Sequence, residues 1–338
     1  MNRREFLRGA TLAGTVGLVG VPPSRVAAEP PPETTRLRIG LVPSICVAPQ
    51  YVAEELLRAE GFTDIEYTGA GPTGLGATGV PGARNQGAGA FDVSTNFAAP
   101  LVVAIDEGVP VVILAGVHVG CFELVATDRV RTISDLKGKT VAVLTLGSAQ
   151  HVFLASIATQ VGLDPRKDIA WATNPAPEAK QLLAEGKIDA FLGFPPDPQD
   201  LRARKIGHVV LNSAVDRPWS QYFCCLITAN REFVTKHPVA VKRAVRAILK
   251  AEGICALEPE RAAQAYLARG FSTREDYAVQ AVKDIPYGRW REYNPEETIR
   301  FYALRLREAG MVKSTPQKLI TQGTDWRFLN ELKKELKG

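Results

Sequence analysis

The sequence is poor in cysteine and has no long apolar run, and these two absences exclude several classes of protein. Five cysteines occur in 338 residues, and none has the close paired spacing of a disulfide scaffold or a zinc finger. No stretch approaches the ~20 apolar residues that a membrane-spanning helix needs. No Lys/Arg cluster alternates with aromatic residues, so nothing predicts a nucleic-acid partner.

Motifs for nucleophilic catalysis and phosphate binding are also missing. Ser148 and His151 could suggest a hydrolase together with Asp189 or Asp197, but no G-x-S-x-G elbow surrounds the serine. Ser148 has a sufficient structural role as the first residue of a helix. No GxxxxGK[ST] loop occurs, so a nucleotide phosphate site is disfavoured.

The cysteines and histidines do not form a metal motif along the chain. His118 and Cys121 have an H-x-x-C spacing, but a zinc site needs a second pair of ligands. Cys224 and Cys225 are adjacent on a predicted strand, where neighbouring side chains point to opposite faces, so both are interpreted as inert thiols. The sequence therefore assigns no metal and no cofactor, and the chain is predicted not to be an enzyme.

The N-terminal residues have the layout of an export signal. Arg3-Arg4 precede a mildly apolar run from Ala10 to Val21, and Val26-Ala27-Ala28 offers the small residues that a signal peptidase cuts after. We therefore predict a twin-arginine signal peptide over 1–28, a disordered leader over 29–35 and a periplasmic location.

Strand and helix patterns alternate along the rest of the chain. This alternation predicts parallel sheets with helices on both faces. Residues 126–222 contain a complete α/β unit, so the flanking blocks must pair with each other. We predict a first lobe from 36–125 plus 223–338, a second lobe from 126–222, and two crossing strands at 122–127 and 223–228. From Arg231 onward the pattern is almost entirely helical.

One stretch departs from this alternation. Residues 68–90 contain eight glycines and two prolines where a crossover helix should lie. Each glycine costs a helix roughly 1 kcal/mol and each proline about 3 kcal/mol. The composition therefore predicts an irregular connection with at most one short turn of helix.

Several segments resemble a known family in their order along the chain. They include "RIGLVPSICVAPQYVAEELLRAEGF", "FDVSTNFAAPLVVAIDEGVPVVILAGVH" and "TISDLKGKTVAVLTLGSAQHVFLASIATQVGL". They resemble the periplasmic substrate-binding components of ABC importers of the nitrate, sulfonate and taurine type, which are related to the thiamine-pyrimidine precursor proteins. The resemblance implies an α/β, two-lobed type II periplasmic-binding-protein fold with the ligand cleft between the lobes and a helical C-terminal tail.

Ligands of such folds sit at the carboxyl ends of parallel strands and at helix N-termini facing a crevice. Applying that rule to the strand ends gives twelve candidate ligand-binding residues: Ser44, Cys46, Asn96, Phe97, His118, Gly147, Ser148, Ala149, Gln150, Phe194, Trp219 and Tyr222. The helix that starts at Ser148 is expected to hold a polar head group through its free N–H groups. Trp219 or Tyr222 is expected to cover a flat or apolar part of the ligand.

These features predict a monomeric binding protein that captures a small anionic or heterocyclic solute. Its expected partner is an ABC permease in the inner membrane. Two alternatives remain open at this point. One is an exported sensory module that hands its ligand to a membrane receptor, and the other is an enzyme of the pyrimidine-precursor type.

Overall fold

The computed structural model describes residues 29–69, 77–271 and 273–336. The predicted export signal at 1–28 lies outside the described residues. Strands and helices alternate through the first two thirds of the described chain, as the hydrophobic pattern predicts. The strands are β1 (Arg36–Gly40), β2 (Asp64–Thr68), β3 (Val93–Phe97), β4 (Val111–Val119), β5 (Glu123–Ala126), β6 (Lys139–Val143), β7 (Ile169–Thr173), β8 (Ala190–Gly193), β9 (His208–Asn212) and β10 (Phe223–Asn230).

The helices cover the sheets and form the C-terminal region. They are α1 (Ala48–Val52), α2 (Glu54–Ala59), α3 (Gly79–Gly87), α4 (Ala98–Asp106), α5 (Ala149–Gln160), α6 (Ala176–Ala184), α7 (Asp197–Ala203), α8 (Arg231–Lys236), α9 (Pro238–Leu257), α10 (Pro259–Leu267), α11 (Glu275–Asp284), α12 (Pro295–Glu308), α13 (Pro316–Gly323) and α14 (Arg327–Glu335). Among the described residues, no helix has the length and apolar character needed to cross a bilayer.

Two five-stranded mixed sheets organise the fold. The sheet of the first lobe has the order β2-β1-β3-β10-β4, and the sheet of the second lobe has the order β7-β6-β8-β5-β9. In each sheet one strand runs antiparallel to both of its neighbours: β10 in the first and β5 in the second. The parallel strands of each sheet therefore carry their carboxyl ends to one edge, where ligands of α/β proteins bind.

The chain passes between the sheets twice. It leaves the first sheet through residues 120–122 and returns through residues 213–222. The residues predicted as crossing strands belong instead to β5, which pairs entirely within the second sheet, and to β10, which pairs entirely within the first. The crossing is made by the two links. The first link therefore ends before β5, slightly earlier than the predicted lobe boundary after residue 125.

The glycine-rich stretch forms more regular structure than its composition predicts. Residues 79–87 are a nine-residue helix, α3, and residues 70–76 lie outside the described residues. Pro81 falls in the first turn, where a missing N–H costs little. At Gly82, an added Cβ would lie 2.3 Å from the Ala77 carbonyl carbon, so the tight entry to the helix requires glycine there.

The leader before β1 packs against the C-terminal helices. The Glu33 carboxylate accepts hydrogen bonds from the Val239 and Ala240 N–H groups at the start of α9, each at 2.9 Å. A carboxylate is stabilised at a helix N-terminus by the free N–H groups and the helix dipole. The disorder expected for 29–35 therefore does not extend to Glu33.

Candidate functional site

The start of α5 is capped by the side chains that the sequence places there. Ser148 is the N-cap residue, and its hydroxyl accepts from the His151 N–H at 3.3 Å. The Gly147 N–H donates to His151 Nδ1 at 3.1 Å, and the Ser148 N–H donates to the Thr145 carbonyl at 3.1 Å.

Two donors remain at this helix start. Within the described part of the chain, the backbone N–H groups of Ala149 and Gln150 have no hydrogen-bond acceptor. They are the first N–H groups of α5, which a helix cannot satisfy internally.

A segment of the first lobe lies against this helix start. The Asn96 side chain makes two hydrogen bonds to the Gly79 backbone. Its Oδ1 accepts from the Gly79 N–H at 2.9 Å, and its Nδ2 donates to the Gly79 carbonyl at 3.0 Å. An added Cβ at Gly79 would lie 3.4 Å from both the Ala149 nitrogen and the Gly147 carbonyl oxygen. Gly79 has a φ of +65°, which glycine adopts without steric cost. Asn96 therefore fixes a close backbone approach between the two lobes.

Between these two surfaces lies a small enclosed space, here called the interlobe cavity. It is lined by Thr78 and Pro81 from the first lobe and by Leu144, Thr145, Ser148, Ala149, Gln150 and Phe194 from the second. Its volume is about 20 Å³, which is enough for one water molecule. A solute larger than a water molecule therefore enters only when these two surfaces separate.

Three residues that line the interlobe cavity carry unpartnered hydrogen-bond donors, although the wall of the cavity itself is almost entirely apolar. The Thr78 side chain is 8% exposed, and its Oγ1 has no hydrogen-bond partner among the described residues. Thr78 lines the same cavity as Ala149 and Gln150, the residues that carry the two free N–H groups of α5. A buried polar group without a partner is costly, so this hydroxyl and these N–H groups together favour a polar occupant.

Burial keeps the imidazole beside the cavity neutral. His151 is largely buried with its ring edge against Trp171 at 4.8 Å between centroids. Burial disfavours the charged form and lowers the pKa of His151 to about 4. A neutral His151 can accept the Gly147 hydrogen bond at neutral pH.

The predicted aromatic residues are divided between the cavity and the core. Phe194 lines the cavity and contacts Phe97, with 5.4 Å between ring centroids. Tyr222 instead stacks on Phe301 at 4.0 Å, and Trp219 packs against the main hydrophobic core. Neither Trp219 nor Tyr222 lines the interlobe cavity, so the aromatic side chain that borders the helix start is Phe194.

The predicted residues Ser44, Cys46 and His118 belong to a second group, which lies in the first lobe beside the links. Cys46, His118, Cys121 and Cys225 place their ligand atoms within 4.8 Å of one another, and all four are buried. They are called the cysteine–histidine cluster below. The Ser44 hydroxyl lies 3.0 Å from Cys46 Sγ. Cys46 and Cys225, from two segments distant in sequence, thus lie beside His118 and Cys121, whose spacing alone predicts no zinc site.

The register of β10 explains why Cys224 and Cys225 both lie near other thiols of the first lobe. An irregularity in the pairing with β4 falls between Phe223 and Cys225. Cys224 Sγ lies 3.0 Å from Cys121 Sγ, and Cys225 Sγ lies 3.8 Å from Cys46 Sγ. Simple strand alternation would have separated the two thiols, so the irregularity brings both toward the cluster.

Burial shapes the electrostatics of the cluster. Burial raises the pKa of the Cys46 thiol. Burial disfavours a charged His118, but the Cys225 and Cys46 thiols favour it more strongly and raise the pKa of His118. A positive charge at the imidazole is therefore tied to negative charge on the neighbouring sulfurs.

The comparison with family models places the chain in a known family. The model of the NMT1-like family matches residues 30–269. The chain belongs to the NMT1-like family. This match spans both sheets and the two links between them.

Solved structures share the fold of this NMT1-like protein. The alkanesulfonate-binding protein SsuA from Xanthomonas axonopodis pv. citri, bound to MOPS, aligns with a TM-score of 0.67 at 18% identity, covering 89% of this chain and 100% of that one. The periplasmic nitrate-binding protein NrtA from Synechocystis PCC 6803 aligns with a TM-score of 0.70 at 16% identity, covering 91% and 90%. The chain therefore has the α/β periplasmic-binding-protein fold with a helical C-terminal region, as predicted.

Curated relatives match a shorter part of the chain. The bicarbonate-binding protein CmpA from Synechococcus elongatus is 28% identical over 109 residues, which are 32% of this chain and 24% of that protein. The chain thus spans about a quarter of the length of the curated relatives that it matches.

Proposed function

We propose that this protein binds a small anionic organic solute between its lobes and delivers it to an ABC permease in the inner membrane. The observation that supports the proposal is the interlobe cavity, whose lining residues include Thr78, with its unpartnered hydroxyl, and Ala149 and Gln150, with the two free N–H groups of α5. The proteins with similar sequence or fold are named for bicarbonate, nitrate and alkanesulfonate. All three are oxyanions, which agrees with a site built from hydrogen-bond donors.

Hydrogen-bond donors and the exclusion of water both favour an anion at the start of α5. The N-terminus of α5 supplies partial positive charge together with the N–H groups of Ala149 and Gln150. Closing the lobes removes water and strengthens each of these contacts. Phe194 lies at the same cavity and offers an apolar surface to the organic part of the solute. A carboxylate or sulfonate with a small apolar body matches these groups, and it requires the lobes to lie further apart than in this structure, where the cavity of about 20 Å³ holds one water molecule.

The same contacts argue against hydrolysis at Ser148. The Ser148 hydroxyl meets the backbone N–H of His151, while the imidazole Nδ1 accepts from Gly147. A serine nucleophile needs a ring nitrogen of a histidine as its base. The proposal is therefore capture and release of the solute without chemical change.

Export belongs to the proposal as well. Arg3-Arg4, the weak apolar run and Val26-Ala27-Ala28 support a twin-arginine route and a mature chain that begins near Glu29. A periplasmic chain whose mass corresponds to a start near Glu29 would support this route. An uncut chain confined to the cytoplasm would contradict it.

Substitution of Thr78 by valine tests the cavity. Valine keeps the shape of threonine but removes the hydroxyl that has no partner, so Thr78→Val should unfold at the same temperature as the parent or slightly higher. Loss of a hydrogen bond to an anion should weaken solute binding by about 1.5–3 kcal/mol, or roughly ten- to hundred-fold. Thermal-shift screening of carboxylates, sulfonates, nitrate and bicarbonate finds the solute, and calorimetric titration measures both affinities.

Thr95 provides the matched control. Its Oγ1 is also buried without a hydrogen-bond partner among the described residues, but Thr95 does not line the interlobe cavity. Thr95→Val should therefore bind the solute as tightly as the parent. Equal affinity of Thr78→Val and the parent, or stabilisation of the parent by none of these anions, would refute the proposed site.

A further inference from the structure

The cysteine–histidine cluster joins four separate parts of the first lobe and its connection to the second. Cys46 follows β1, His118 lies near the end of β4, Cys121 lies in the first link, and Cys225 lies at the start of β10 after the second link. Their exposures are 0%, 1%, 5% and 0%. Three thiols and an imidazole therefore converge where both links leave the first sheet.

The hydrogen bonds of His118 assign the roles of its two ring nitrogens. His118 Nδ1 lies 3.0 Å from the Gly120 carbonyl oxygen and 3.3 Å from the Val119 carbonyl oxygen. A carbonyl oxygen can only accept, so Nδ1 carries the proton. Nε2 is buried and has no hydrogen-bond partner among the described residues. This is the arrangement of a metal-ligating histidine, which donates one N–H to a carbonyl and presents the other nitrogen to the ion.

The spacing of the sulfur atoms agrees with tetrahedral coordination. Metal–sulfur bonds of about 2.3 Å in a tetrahedron place two sulfurs about 3.8 Å apart. Cys46 Sγ and Cys225 Sγ are 3.8 Å apart. Since the ligand atoms of all four residues lie within 4.8 Å of one another, one ion can contact them after small side-chain movements.

We propose that Cys46, His118, Cys121 and Cys225 bind one thiophilic metal ion, Zn²⁺ or Cu(I). A set of three thiolates and one imidazole is a known tetrahedral zinc set, and soft thiolate ligands also select Cu(I). On binding, the three cysteines and His118 Nε2 release to water the protons that they carry, and three sulfur–metal bonds form together with one nitrogen–metal bond. No oxidation or reduction of the protein is involved.

Surrounding groups support the ligands. The Ser44 hydroxyl can donate to Cys46 Sγ, and the Ser213 hydroxyl accepts from the Cys121 N–H at 3.0 Å. Tyr287 donates to the Cys46 carbonyl at 2.9 Å and packs edge-on against His118. Such outer contacts orient the ligands of metal sites. Because Cys121 lies in a link, a bound ion fixes the link to the first lobe.

The cluster and the interlobe cavity share no residue. The metal proposal therefore stands independently of the proposed solute, and each can fail alone.

Metal content provides the first test. The protein is produced in cells supplied with zinc or with copper, purified under reducing conditions without a chelator, and analysed by elemental mass spectrometry. We expect one Zn²⁺ or one Cu(I) per chain. Comparison of the protein from zinc-supplied cells with that from copper-supplied cells shows which ion is bound. After removal of the metal, one equivalent of Co²⁺ should give the visible bands and the sulfur-to-cobalt charge-transfer bands of a tetrahedral thiolate site, and Zn²⁺ should abolish them.

Cys46→Ala is the test variant and Cys255→Ala its matched control. Cys255 is a buried thiol in α9, 1% exposed, that does not belong to the cluster. Both changes leave a small apolar side chain in a buried position. Cys46→Ala should lower metal affinity at least tenfold, whereas Cys255→Ala should keep the metal content and the Co²⁺ spectrum of the parent.

Three results would overturn the proposal. The first is a reduced parent protein that takes up neither zinc, copper nor cobalt. The second is equal metal affinity in Cys46→Ala and the parent. The third is a Cys121–Cys224 disulfide in the isolated protein, with no metal uptake after its reduction; these two sulfurs lie 3.0 Å apart.

Discussion

At the scale of single residues, the start of α5 depends on a histidine that remains neutral. The Gly147 N–H donates to His151 Nδ1, which can accept only when that nitrogen carries no proton. Burial lowers the pKa of His151 to about 4, below the value of about 6.5 expected in the unfolded chain. The unfolded chain therefore binds a proton at His151 at pH values where the folded chain does not.

This difference predicts a pH dependence of stability. Above pH 6.5 the contribution of His151 is complete, and it is lost as the pH falls through the window from about 6.5 to about 4. His151→Gln should remove this dependence. Between pH 7 and pH 4.5 the parent should therefore lose of order 2 kcal/mol more of its free energy of unfolding than the variant does. Urea unfolding at several pH values measures the difference. If the free energies of unfolding of the two proteins change with pH in parallel, His151 is not the cause of the pH dependence.

Part of the site could be predicted from the sequence because its residues are adjacent in the chain. A strand followed by Gly147-Ser148 and an apolar helix locates the N–H groups of Ala149 and Gln150 without a structure. Thr78 was missed because its surroundings are rich in glycine and gave no helical pattern. The cluster was missed for a different reason, since Cys46 and Cys225 are 179 residues apart and only the sheet brings them together.

At the scale of elements, α3 shows that composition alone misjudges a helix that is held by tertiary contacts. Its residues include three glycines and a proline, which a free helix would tolerate poorly. Asn96 fixes the first residue, Gly79, and Gln86 near the end donates to the Thr228 carbonyl at 3.1 Å. Hydrogen bonds from the neighbouring strands β3 and β10 thus replace the helix propensity that the sequence lacks.

The contact between α3 and α5 predicts the effect of a methyl group at Gly79. Gly79→Ala places a side chain at a positive φ and 3.4 Å from the Ala149 nitrogen and the Gly147 carbonyl oxygen. The backbone conformation alone should cost about 1–2 kcal/mol of folding free energy. The methyl group would also fill the space between Gly79 and the start of α5 at van der Waals distance, which should weaken solute binding. Chemical unfolding and calorimetric titration measure the two effects.

Gly89 separates the backbone effect from the interlobe contact. It has a φ of +84°, and an added Cβ there would meet no atom within 4 Å. Gly89→Ala should show a similar loss of stability but the solute affinity of the parent. An unchanged solute affinity in Gly79→Ala as well would contradict a role of this contact in closure.

At the scale of the whole molecule, the alternation of strands and helices was enough to predict the architecture. Buried apolar runs such as Val111–Val119 indicate strands without any tertiary information. The two links were less predictable, because β5 and β10 read as continuous strands that could belong to either sheet. Their assignment depends on antiparallel pairing with distant strands, which one sequence does not reveal.

Above all, we propose that the folded protein holds one small solute and returns it unchanged. Native mass spectrometry of the protein from a periplasmic extract tests this most directly. The account predicts a chain that begins near Glu29, bound to one small anion in addition to any metal in the cluster. It also predicts that the anion keeps the same mass after prolonged incubation and release by unfolding. A chain that carries no solute and acquires none from the anion panel, or a released compound of altered mass, would contradict the account.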